Sequence, residues 1–163
     1  MSSSPAEPMP ASQLAHRLIV GQLQGDADHG AMVAAAERVC TLMPAGMSRW
    51  FGPYGSHALM TRALARAAAD HPALATVTVD ATRNPCLVGL SESATIHGAE
   101  AAIAGAVAML TALATLIGRL IGDDLAGQIL EQSLTSPSTA DAVAATTPAA
   151  ASGESRSSAG EQP

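Results

Sequence analysis

Imidazole and carboxylate groups come close together at three places in this chain: Asp26-Ala27-Asp28-His29, Asp70-His71, and His97 with Glu100. Such neighbours can ligate a metal or pass a proton. A di-iron helical bundle takes a Glu-x-x-His step from each of two helices, with further carboxylates facing them. Here the order is reversed, occurs once, and straddles Gly98. Asp70-His71-Pro72 has the form of a helix terminus, where histidine suits the negative end of the dipole. Of the two cysteines, Cys40 sits on a helical seam as a small core residue. Cys86 follows Pro85 and is the more accessible thiol. There is no glycine-rich phosphate loop and no serine in a nucleophile-elbow pattern. The expectation is a protein without metal, cofactor or catalytic centre.

One histidine stands in a more suggestive frame. Ser56-His57-Ala58-Leu59-Met60-Thr61 loosely resembles the phosphoacceptor box of sensor histidine kinases, a Ser-His pair followed by an acidic residue, leucine and a Thr-Pro step. Ser56, His57, Leu59 and Thr61 fit that pattern over about nine residues. Ala58 replaces the acidic neighbour and Arg62 replaces the proline, so the carboxylate that would assist the imidazole as a nucleophile is missing. The resemblance implies phosphotransfer at His57. The residues read by themselves place His57 in the first turn of a helix.

All three aromatic residues of the chain, Trp50, Phe51 and Tyr54, fall in Arg49-Trp50-Phe51-Gly52-Pro53-Tyr54-Gly55. Aromatics supply large buried area with a polar handle, so they plug corners or anchor partners. The expected role is a plug where two helices turn. The same residues with His57 form the candidate patch for a partner or ligand, and Met43, Met47 and Trp50 could wall an apolar pocket.

These residues must be positioned by helices. Val33, Ala36, Cys40, Met43, Met47 and Trp50 step by three and four, the seam of a helix packed lengthwise on another. Pro44 and Gly46 predict a kink or break near residue 43. A shorter helix with Leu14 and Leu18 on one face precedes this one. Another follows with Leu59, Met60, Ala63, Leu64 and Ala67 inward, ended by Pro72. Residues 75–80 alternate β-branched side chains, but a lone strand has no sheet partner in the chain, so at most an extended linker is expected unless two subunits pair there. A modest helix with Leu87, Leu90 and Ala94 on one side leads to Gly98. The last helix carries Leu125, Ile129 and Leu134.

Between Gly98 and Gly122 lies the longest apolar stretch. Residues 101–118 are eighteen in a row without a charge, which by length alone suits a membrane span. Seven of them are alanine, two glycine and two threonine, which insert poorly. Ile103, Val107, Leu110, Leu113, Leu116 and Ile117 collect on a broad face. Gly105, Ala108 and Ala112 mark a narrow one, where another backbone from this chain or a second subunit can come close. The expectation is a buried central helix and no membrane.

The fold class is therefore all-α, a bundle of five to six helices around a buried alanine-rich central helix, over residues 13–134. Residues 1–12 and 135–163 are rich in Ser, Thr, Ala, Pro and Gly and read as disordered ends. The net charge is −6, half of it from Glu7, Asp141, Glu154 and Glu161 against Arg156, and all eight basic residues are arginines without a basic stripe. That speaks against nucleic acid. With no secretory segment evident, a cytoplasmic setting is expected. Few large side chains favour a homodimer, which buries more apolar area per chain. The functional expectation is a small regulatory adaptor of bacterial signalling, acting on an unidentified protein partner rather than as an enzyme. The alternatives are the His57 phosphoacceptor and a small apolar-ligand sensor.

Overall fold

The computed structural model describes residues 9–80 and 87–135. Both expected disordered ends fall mostly outside these residues, as do Pro85 and Cys86. Among the described residues five α-helices make up the fold. Helix α1 (Ala11–Val20) starts two residues before the expected boundary of the folded region, with Pro10 at its N-cap. Its buried face is Leu14, Ala15, Leu18 and Ile19.

Asp28 then starts α2 (His29–Ala68), its carboxylate accepting the Ala31 N–H at 2.6 Å. Capping of this kind satisfies one of the orphan amides of a first helical turn. The helix runs through Pro44 and Gly46 without a break, against the sequence expectation. It breaks instead at Gly52, whose φ of 71° and ψ of 167° lie outside helical space. Glycine takes that conformation without the steric cost that a Cβ imposes. Pro53 directly follows, its fixed φ suited to the first residue of a new helical arm. The chain folds back on itself there. The hydroxyls of Ser48 and Ser56 come within 3.0 Å, and Ser48 also donates to the Pro44 carbonyl. Two residues eight apart on a straight helix would be separated by about 12 Å. So α2 is a hairpin of two arms rather than one rod.

The expected seam holds along the first arm. Val33, Ala36, Cys40, Met43 and Met47 are buried, and Met60, Ala63, Leu64 and Ala67 line the second arm. Gly46 is the crossing point with α5 (Asp123–Thr135): a Cβ there would collide with the backbone of Ser133.

A 3-10 turn, Pro72–Leu74, leaves α2 and leads to a minimal antiparallel pair. Strand β1 (Thr78–Val79) meets β2 (Leu87–Val88), with Thr78 opposite Val88 and Val79 opposite Leu87. The segment expected to be an unpaired linker thus finds its partner within the same chain, a few residues later. Helix α3 (Leu90–His97) is held from outside: the Glu37 carboxylate on α2 accepts both the amide (2.9 Å) and the hydroxyl (2.6 Å) of Ser91.

Helix α4 (Ala99–Ile121) lies at the centre, in contact with all four other helices. It is long and apolar enough to cross a membrane by length and composition, yet 56% of its most apolar window is buried inside the fold. The core face is Ala102, Ala106, Met109, Leu110, Leu113, Leu116 and Ile117. This is rotated from the sequence reading, which placed Ile103 and Val107 inward. Helix α5 is likewise rotated. Ala126, Ile129, Leu130 and Ser133 are buried, while Leu125 is exposed. Methionines fill the centre: Met43, Met47, Met60 and Met109 are all fully enclosed. An unbranched thioether adapts to the irregular gaps that alanine-lined helices leave.

Candidate functional site

The rotation of α4 leaves one of its faces uncovered. Ile103, Val107 and Thr111 form one row along the helix, and Ala104, Ala108, Ala112 and Thr115 form the next. Together they floor an open groove of about 930 Å³. Helix α1 walls it with Ser12 and His16, and the two ends of α2 wall it with Asp28, His29, Met32, Arg66, Asp70 and His71. Because α2 is a hairpin, its first and last turns reach the same groove. The Gly52 break is what brings residues some forty apart in sequence to one rim.

The floor is chemically quiet. Thr111 and Thr115 both donate their hydroxyl protons to carbonyls one turn back, those of Val107 (2.7 Å) and Thr111 (2.8 Å). This i−4 back-bonding satisfies the donors within the helix. What faces the groove is then alanine and branched aliphatic surface.

The rim is ionisable. Asp28 is committed to its capping bond. The Nε2 of His29 lies 3.8 Å from the Glu100 carboxylate, a contact between two largely exposed side chains. Such pairs are screened by water and hold little energy. Asp70 and Arg66 differ from these: neither side chain is hydrogen-bonded or ion-paired among the described residues. Both stand near the C-terminal end of α2, where the helix dipole presents negative charge.

The residues singled out in the sequence are dispersed by this fold. Gly105 is buried, and a Cβ on it would lie 2.8 Å from Leu74 Cγ, so its close neighbour is the turn after α2 in the same chain. Ala108, half-buried, and Ala112, buried, lie instead along the groove. Met43, Met47 and Trp50, read as the walls of an apolar pocket, are separated by burial. Both methionines are fully buried in the core, and Trp50 points away from them, 54% exposed. Tyr54 is 90% exposed and only Phe51 packs on the core, so the aromatic heptapeptide plugs its corner with one ring of three. The other two stand on the tip of the hairpin.

His57 follows in the second turn of the second arm. Its Nδ1 is sealed from solvent without a hydrogen-bond partner among the described residues. A phosphoacceptor imidazole needs a partner on the nitrogen opposite the one that attacks, to hold its tautomer and charge. His57 has no such support here. Among the described residues no three of His, Cys, Asp and Glu are grouped to hold a metal. His97 is exposed, and Glu100 faces His29 rather than His97. Cys40 is buried in the core of the first arm of α2.

The groove itself escaped the sequence reading. The signal was present in Ala108 and Ala112, two of the three residues of the narrow stripe, with Ala104 taking the place of Gly105. The chain matches no protein-family model, no curated protein and no solved structure. What the site can do follows from its own residues.

Proposed function

We propose that this protein is a non-catalytic binding module whose groove between α1, α2 and α4 takes a small amphipathic molecule. One observation carries this reading: an open cavity of about 930 Å³ with an aliphatic floor and a rim of ionisable side chains. Small-molecule sites have this make-up, a mostly apolar lining of some 300–1,000 Å³ with a few convergent polar groups, and in helical proteins they form between helices. Among the described residues the Ser12 hydroxyl on the wall makes no hydrogen bond to a histidine of the groove, which favours binding over chemistry. A ligand seated there touches both ends of the α2 hairpin and α1 together, so occupancy is coupled to how those helices pack. That is the behaviour of a regulatory module.

Thermal unfolding in the presence of soluble alkyl amphiphiles tests the reading. Ligands that bind only the folded chain raise Tm with concentration. The expected result is a dose-dependent rise that Ala108→Leu abolishes, since the added side chain fills the groove. A rise that is equal in the variant and the parent would sink the reading.

A second surface supports an adaptor role. Trp50 and Tyr54 expose large aromatic area at the hairpin tip, beside the glycine and proline that build it. Aromatic residues that protrude from a rigid turn are the usual anchors of protein partners. Loss of partner capture in the double variant Trp50→Ala, Tyr54→Ala, with an intact groove response, is the outcome expected for an adaptor that meets its partner at the tip.

A further inference from the structure

Resting on the groove reading above, we infer that the ligand is a cationic amphiphile, a protonated alkylamine in chemical class, with its apolar body along α4 and its head at Asp70. The charge of the rim selects it. Three carboxylates (Asp28, Asp70 and Glu100) face one guanidinium (Arg66), a net of −2 with the histidines counted neutral. The protein as a whole carries −6, which attracts cations and repels anions at longer range.

The three carboxylates are not equivalent. Asp28 caps α2 and Glu100 faces His29, each at a helix N-terminus where a negative charge is already favoured. Asp70 has no partner among the described residues and lies just past the C-terminus of α2, where backbone carbonyls add to its negative potential. A cation at Asp70 therefore meets a carboxylate with no partner among the described residues, whereas an anion finds one guanidinium among three acids.

Arg66 is the competing anchor. It stands one turn before Asp70, so any head group that reaches one is near the other. Its long side chain can swing its charge into solvent, whereas the short Asp70 carboxylate stays where the backbone holds it. The groove is lined by no Trp, Tyr or Phe. Recognition is thus by carboxylate and not by a cation–π cage, which favours an ammonium able to donate hydrogen bonds over a quaternary one.

The floor sets the body of the ligand. Glu100 and Thr115 are separated by about 22 Å of helix, so the groove is long and narrow for its volume. A linear aliphatic chain suits it better than a fused-ring body.

The test is calorimetric titration of the full chain with decylammonium, decanoate and decanol, each below its micellar concentration, at low and at raised salt. Decylammonium is expected to bind at least tenfold more tightly than decanoate, and salt should narrow that gap. Asp70→Asn should bring decylammonium to the affinity of decanol, and Ala108→Leu should remove binding of all three. Decanoate binding as tightly as the amine, or an amine preference untouched by Asp70→Asn, overturns the cationic assignment while leaving the groove reading in place. If none of the three binds, or if Ala108→Leu changes nothing, the groove reading falls and this inference falls with it.

Discussion

The groove along α4 and the tip of the α2 hairpin are opposite kinds of surface built from one composition. At the tip, Trp50 and Tyr54 project two of the chain's three aromatic rings into solvent. Along α4, the surface is made by side chains too small to fill the space between helices. One region offers what the protein has least of, the other what it has most of. In an alanine-rich bundle, a concave site needs no special residue, only a face on which no neighbour supplies bulk. A convex site needs large side chains and a turn that keeps them outward, here Gly52 with Pro53.

Substitutions can break this contrast in a graded way. The largest effect is expected in the scaffold beneath the tip: Met47→Ala, in the fully buried centre of the first arm, should cost about 3 kcal/mol in urea unfolding, as large-to-small core changes do. Trp50 lies three residues further along the same arm, so the pair separates core from tip directly. Next comes Gly52→Ala, which forces a Cβ into a positive-φ position and should cost about 1–2 kcal/mol. Its far-UV signal should barely change, since the helical arms on either side persist. Trp50→Ala and Tyr54→Ala should each stay within about 0.5 kcal/mol of the parent, as exposed positions do. A cost above 2 kcal/mol at Trp50 would make the ring a structural plug after all. The smallest effect on stability is expected for Ala108→Leu, whose new side chain enters open groove. Its measurable change should be in binding, and a large loss of stability would mean that the floor is packed rather than open.

Much of the bundle was legible because its punctuation is chemical. Gly98 and Gly122 adopt positive φ at either end of α4, and Asp28 caps α2. The seam from Val33 to Met47 needed only spacing to be seen. Two features were not legible, for different physical reasons. Pro44 looked like a breaker, but the helix continues through it, and the break falls at Gly52, the one glycine of α2 that takes positive φ. The orientation of α4 failed for lack of contrast. Alanine is compatible with core, groove and surface alike, so large residues such as Ile103 and Val107 were assigned inward by size alone. They line the floor of an opening instead. The groove could not be read from periodicity, because it is defined by which neighbours are missing. The exposed Tyr54 and the orphaned Nδ1 of His57 likewise depend on the fold-back at Gly52.

Thr111 and Thr115 carry a consequence for the solvent in the groove. With both hydroxyl protons turned into their own helix, the floor gives water no donor to hold on to, and the ionisable groups that could do so stand at the rim. Water over Ala108 is thus poorly bound, and a chain that displaces it releases solvent that had little to lose. Binding there should carry a negative heat-capacity change together with favourable enthalpy near room temperature, the signature of an apolar body entering a preformed and thinly wetted space.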